Sequence, residues 1–485
     1  MTVTPAGGSV ALRGPVVRSY PRMVQRVARG VVALAGTLGI AGMLGCGPGQ
    51  RPAGLDELRQ PTGLAVSDGG RWLFVTNGNW DRGRFESSLV VVDLAKFERG
   101  LDDPRAAGAS VSNDAPCRQR GSDAAVECAP APLIREELTV RLPSGAGNIG
   151  VDRGLEGAGE IRLLIPTRLE TGLWWIDVAG LQDDAPPTLR CDQDDDRHCG
   201  PSHAVAAIRP EPSRIVVDDH GYPYAYLPHL LDRRFSLIRL RGERGPEVAD
   251  VEEEFYRLDP LFDSDLGGGF GVAARPCDPA ADNVPRVTLD CERPLLYTTH
   301  RYWFGVRTFR VAPGLDVVIP GSDFSVPGSA VQAADPRPLM GDLRFVDPDV
   351  GDELLVVNTT PPALSLVDTS LDDRDEPVDA LLRSIPLCGN PNLLELYRPP
   401  DEPWLAFVTC PGQDRVQVID VEAFEVIRSI PLGRGANEIA VDGDGARLYV
   451  ANTGESTISV IDLSRGTTYL TEIGIIGLGG RARVP

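Results

Sequence analysis

The chain has 485 residues, 42% of them hydrophobic, with 53 Gly, 42 Pro and a formal net charge of −21. There is apolar material for a large core, but the density of turn formers argues against long helices and for many short elements. The acidity argues against nucleic acid as a partner, because such a surface repels phosphate backbones.

The first 45 residues differ from the rest. They hold five Arg (Arg13, Arg18, Arg22, Arg26 and Arg29) and no acid, so the remainder carries −26. The Arg-containing stretch runs into an apolar segment, Gly30 to Gly45, whose 16 residues would rise only about 24 Å as a helix. That is short for a membrane span and suits the core of a signal peptide. The segment ends in "MLGC", Met43 to Cys46, which resembles the lipobox of bacterial lipoproteins. Such a motif implies cleavage before Cys46 and a lipid on its thiol. The expected organisation is a signal peptide over 1–45, a tether over 46–58 and a folded domain over 59–485. Gly47 after the Cys implies the outer membrane, with the periplasmic or surface face open.

Without Cys46, eight cysteines remain, in close sequential pairs: Cys117 and Cys128, Cys191 and Cys199, Cys277 and Cys291, Cys388 and Cys410. An even number in an exported chain reads as four local disulfides. No C-x-x-C or C-x-x-C-H is present, which argues against a redox dithiol or covalent haem, and the spacings do not suit structural zinc.

Seven units follow, each an apolar strand, a turn, a second strand ending in a small or polar residue, a loop and a third strand. They begin at Pro61, Gly147, Pro212, the stretch "GGFGVAARP", Gly341, Pro391 and Ala436. The second strands end at Asn77, Thr167, His229, His300, Asn358, Cys410 and Asn452. Fourth strands are visible in "ELTVRLP", "FEVIRSIPLG" and "LTEIGIIGLG". Repeats of roughly 40 to 45 residues with four strands each predict an all-β, seven-bladed propeller of four-stranded antiparallel blades. "LYVANTGESTISVID" and "LFVTN" resemble the YVTN repeat of YncE-like bacterial propellers. That resemblance implies a scaffold not committed to one ligand, with lactonases and quinoprotein dehydrogenases among its neighbours.

Because consecutive strands are antiparallel, the loops joining second to third strands share one face with the connections between blades. On this first face, the position opening each first strand reads Gly63, Asn148, Arg214, Asp342, Leu393 and Glu438, with no residue assignable in the fourth unit. Arg214, Asp342 and Glu438 are therefore expected at the channel mouth, joined by His229, His300 and Arg301. The functional reading is a polar funnel for a small ligand or peptide segment; the plain alternative is that these groups pair across blades and hydrate the axis. The insertions holding Cys117/Cys128, Cys191/Cys199 and Cys277/Cys291 are expected on the opposite face, and Cys388/Cys410 on the first.

Asp442 to Gly445, "DGDG", aligns with other first hairpins and reads as a turn. Asp192, Asp194, Asp195 and Asp196 crowd one disulfide loop, where calcium would relieve their repulsion and a solvated acidic loop is the alternative. No other cofactor is expected. No G-x-S-x-G, H-E-x-x-H, P-loop or dinucleotide fingerprint is present. The reading that results is a lipid-anchored, monomeric envelope propeller that binds a small ligand or an envelope protein. The rival is a propeller enzyme, lactonase-like or quinoprotein-like, acting at the same mouth.

Overall fold

The computed structural model describes residues 54–80, 86–102, 116–119, 125–155, 159–181, 185–218, 222–253, 268–276, 293–301, 305–326, 339–347, 350–374 and 376–478. Cys46 with its leader, and the Cys277/Cys291 pair, lie outside them.

Each blade takes four antiparallel strands from one contiguous stretch, and seven such blades surround a common axis. First strands of neighbouring blades touch one another and so line the axis. In the first blade the strands are Pro61–Val66, Trp72–Asn77, Ser87–Asp93 and Val140–Leu142; in the last they are Ala436–Asp442, Arg447–Asn452, Thr457–Asp462 and Glu472–Ile476. Second strands such as Trp72–Asn77, Ile161–Thr167 and Leu405–Cys410 are buried along their whole length. Both of their faces pack on neighbouring blades, which is why they are almost continuously apolar instead of alternating. Outermost strands such as Glu425–Pro431 are largely exposed.

Seven apolar clusters fill the seams between successive blades. The closing seam joins Leu73, Val75 and Val90 of blade 1 to Tyr449, Ile458 and Val460 of blade 7. It also receives Leu94 and Phe97 from the helix Leu94–Leu101, which Asp93 caps by accepting a hydrogen bond from Lys96 N at 2.9 Å. Leu58 is buried in the same seam, and the Glu57 carbonyl accepts a bond from Asn77 Nδ2 at 3.0 Å. Glu57 and Leu58 thus pack with the domain expected from 59 onward.

The insertion between the third and fourth strands of blade 1 forms a hairpin, Cys117–Gln119 with Val126–Cys128, closed by the Cys117–Cys128 disulfide. Val126–Cys128 runs parallel to Gly474–Ile476 and adds two strands to the outer edge of blade 7. The Cys191–Cys199 loop does not follow a third strand as expected. Thr188–Arg190 pairs with Asp177–Ala179 as the fourth strand of blade 2, too short and polar to be recognised in the sequence, and the loop comes after it. The loop therefore belongs to the first face, and His198 lies parallel to Arg141 on the outermost strand of blade 1. Both insertions follow one rule: each clasps the outer edge of the preceding blade. Cys388–Cys410 joins the connection after blade 5 to the second strand of blade 6.

Candidate functional site at the channel mouth

Strand pairing identifies the axial position that the sequence left blank. In blade 7, Asn452 pairs with Ala436, two residues before Glu438; in blade 4, His300 pairs with Gly269, two residues before Gly271. The axial ring therefore reads Gly63, Asn148, Arg214, Gly271, Asp342, Leu393 and Glu438. The two glycines are dictated by space: a Cβ on Gly63 would come within 2.4 Å of the Gly147 carbonyl oxygen, and one on Gly271 within 2.9 Å of Asp342 Cα.

Above this ring opens a cavity of about 460 Å³. Its walls come mainly from two positions of the repeat, the residue after the second-strand end in five blades (Arg168, Leu230, Arg301, Pro411 and Thr453) and the residue before the axial position in six (Thr62, Gly147, Ser213, Phe270, Asn392 and Asn437), with Gly435 beside them. Trp80 completes one side. Arg168 stacks 5.1 Å from the Trp80 ring centre and pairs with Glu211 at 2.6 Å. Arg301 stacks 4.5 Å from Phe270 and donates to the Met340 carbonyl at 2.6 Å and to Asn392 Oδ1 at 3.2 Å.

The floor is a buried ionic network that crosses the axis. Arg214 Nη1 of blade 3 lies 3.1 Å from Glu438 Oε1 of blade 7, and its Nε lies 3.6 Å from Asp342 Oδ2 of blade 5. Arg344 donates to Asp342 Oδ1 at 3.0 Å and to Glu395 Oε1 at 3.2 Å. Arg214 and Glu438 are about 5% exposed and Asp342 is wholly buried. Arg214 Nε and Asp342 Oδ2, too far apart to hydrogen bond, have no hydrogen-bond partner. Burial raises the Glu438 carboxyl to about 7, with Asp342 adding to the rise and Arg214 opposing it. Burial works against the charged form of Arg214, but Asp342, Glu438 and Glu395 outweigh it and hold the guanidinium above its ordinary value.

Of the residues expected at the mouth, Arg214, Arg301 and Glu438 line the cavity, and Asp342 lies behind them within the network. His229 and His300 are elsewhere, buried at the ends of their strands. His229 Nδ1 lies 3.0 Å from the Pro210 carbonyl and its Nε2 2.8 Å from Ser236 Oγ. That second contact repeats Asn452 Nδ2 to Ser459 Oγ at 2.8 Å and Asn358 Nδ2 to Ser365 Oγ at 3.4 Å. Burial lowers both imidazoles to about 4, with Arg233 adding to the effect at His300, so both are neutral near neutrality.

Two of the four aspartates in the disulfide loop, Asp192 and Asp194, turn to separate partners. Asp192 accepts from Ser202 Oγ at 2.6 Å, and Asp194 faces His198 at 3.0 Å. Among the described residues no group of three His, Cys, Asp or Glu converges to hold a metal ion.

No protein-family model matches the chain, and no curated protein matches it. Among solved structures it is similar to Kuenenia stuttgartiensis hydrazine synthase, at 13% identity over 85% of this chain and 97% of that one, with a TM-score of 0.49. It is also similar to the Myceliophteria thermophila Cps50 (Swd1) β-propeller domain, at 11% identity over 83% and 96%, with a TM-score of 0.48. A third likeness is to Saccharomyces cerevisiae Sqt1, at 8% identity over 87% of each chain, with a TM-score of 0.46. Likenesses at this level carry no functional argument, and the architecture rests on the chain's own strand topology.

Proposed function

We propose that this chain is an exported, lipid-anchored propeller that binds a small polar ligand or a peptide segment at its first-face mouth. The observation that carries the reading is the cavity of about 460 Å³ lined by Arg, Asn and aromatic side chains over a buried ionic floor. Concave sites that mix apolar walls with a few directed polar groups are the usual form of a small-molecule site. The anchor rests on the lipobox-like "MLGC" ending at Cys46. Thermal-shift screening with polar metabolites tests the site, because a ligand that binds only the folded state raises the melting temperature. A stabilising ligand should lose its effect in Asn437→Ala; hits that are all unaffected by that change would place binding elsewhere. Palmitate labelling that survives Cys46→Ser would remove the anchor.

One observation favours a second reading, a propeller enzyme: Glu438 lines the cavity with its carboxyl raised to about 7, suited to general acid–base work. Turnover of lactones that is abolished by Glu438→Gln would support it.

A further inference from the structure

The inference that follows deepens the mouth-binding reading and rests on it. Apart from the Arg168–Glu211 pair, which is neutral by itself, the described ionisable groups at the mouth are Arg214, Arg301 and Glu438. Asp342, Arg344 and Glu395 lie behind them. Glu438, on blade 7, meets Arg214 from blade 3, with Asp342 and Arg344 from blade 5 and Glu395 from blade 6 in the same network. Three guanidiniums against three carboxylates leave no net charge when all are ionised. A proton on Glu438 leaves the mouth with one positive charge.

The neutral polar groups of the wall are largely engaged. Asn148 accepts from Ile215 N at 3.0 Å and donates to the Ile215 carbonyl at 2.9 Å. The hydroxyls of Thr62 and Thr453 donate to the carbonyls of Ala146 and Pro61, at 2.7 and 2.8 Å. The ionic groups of the wall are guanidinium, which offers only donors, and the Glu438 carboxyl, which becomes a donor when it takes up a proton.

We propose that the mouth captures a small organic anion, a carboxylate whose apolar side rests on Trp80 and Phe270, together with one proton taken from solvent onto Glu438. The proton loosens Glu438 from Arg214 and frees Nη1 for the ligand's carboxylate, a charge-assisted pairing for which guanidinium is well suited. Arg214 Nε already lacks a hydrogen-bond partner in this buried position. Proton and anion then bind cooperatively, because each removes the charge imbalance left by the other. Burial of Glu438 makes its proton available near neutrality.

The test is isothermal titration of the folded protein with glucuronate and benzoate, carboxylates that stay ionised at both pH values used, with glucose as the uncharged control. Runs at pH 6 and 8 use two buffers of different ionisation heat. At least one anion should bind more tightly than glucose and weaken by about tenfold from pH 6 to pH 8. Uptake at pH 8 should approach one proton per anion bound. Glu438→Gln should retain anion binding and lose both the pH dependence and the uptake. The proposal is overturned if no anion exceeds glucose, if binding at pH 8 takes up no proton, or if Glu438→Gln keeps the pH dependence. Glucose binding as well as the anions, with Asn437→Ala weakening all of them, would overturn the anion and leave the mouth as the site. The wild-type measurements stand even if the variant fails to fold.

Discussion

Arg214 and Glu438 lie 224 residues apart in sequence and meet across the axis at 3.1 Å. Removing one partner of such a buried pair strands the other. Arg214→Ala leaves Glu438 and Asp342 facing each other with only Arg344 to compensate, and should cost about 3–5 kcal/mol in urea unfolding. The double change Arg214→Met, Glu438→Gln should recover much of that loss, since it removes charge from both sides. A single-variant loss below about 1 kcal/mol would show that water screens the floor.

Glu438 also sets a sign for the pH dependence of stability. Its carboxyl is raised from 4.5 to about 7 in the folded state, so between these values the native chain holds a proton that the unfolded chain has released. Its contribution therefore falls as pH rises through this window. The stability difference between wild type and Glu438→Gln, measured by denaturant titration, should drift against the wild type from pH 4.5 to 7 and flatten above it.

His229 has the place and the hydrogen bond that Asn452 has in blade 7. His229→Asn should keep the contact to Ser236 and stay within about 1 kcal/mol of wild type, whereas His229→Leu leaves Ser236 Oγ buried without that partner, at about 1–3 kcal/mol. Ligand binding at the mouth should be the same in both. A binding defect in His229→Asn would show that this imidazole reaches the ligand.

His198 fastens the Cys191–Cys199 loop to blade 1, with Nε2 2.7 Å from Glu86 and Nδ1 3.0 Å from Asp194. Burial alone would lower its pKa, but these two carboxylates outweigh it and raise the imidazole above 6.5. The stabilisation is complete below the unfolded value of 6.5 and is lost as pH rises through the folded one. The melting temperatures of wild type and His198→Gln should differ most near pH 6 and converge in alkali.

The Cys117–Cys128 hairpin is stapled onto the closing seam. Replacing both cysteines by Ser should cost about 3 kcal/mol in the chain-entropy model. Hydrogen exchange should quicken first at Gly474–Ile476, the strand on which the hairpin rests. Uniform quickening over all seven blades would contradict a local clasp.

The blades were legible because their second strands are apolar nearly from end to end, and the small or polar residue closing each one marks the register. Thr188–Arg190 was not, since three residues with little burial carry no periodic signal. At the mouth, Arg214, Arg301 and Glu438 followed from counting along the repeat. Arg344 and Glu395 were missed although each sits two residues beyond an axial position, on the same side of its strand, where period-two alternation directs it to the axis. Arg168 was also missed, although it follows Thr167 as Arg301 follows His300. His229 misled because imidazole and amide can make the same contact to a serine hydroxyl, and residue type alone does not tell a structural donor from a ligand-facing one.

The parallel pairing of Val126–Cys128 with Gly474–Ile476 has a consequence for biogenesis. The hairpin is synthesised early and its docking strand almost last, so this contact forms only after nearly the whole chain is available, and long-range pairing of this kind is slow. Until then blade 1 exposes the apolar flank later covered by Tyr449, Ile458 and Val460, a surface prone to association. A chain cut before residue 472 therefore keeps a stapled hairpin with no strand to rest on, and one cut before residue 449 would also lack the side chains that cover the seam.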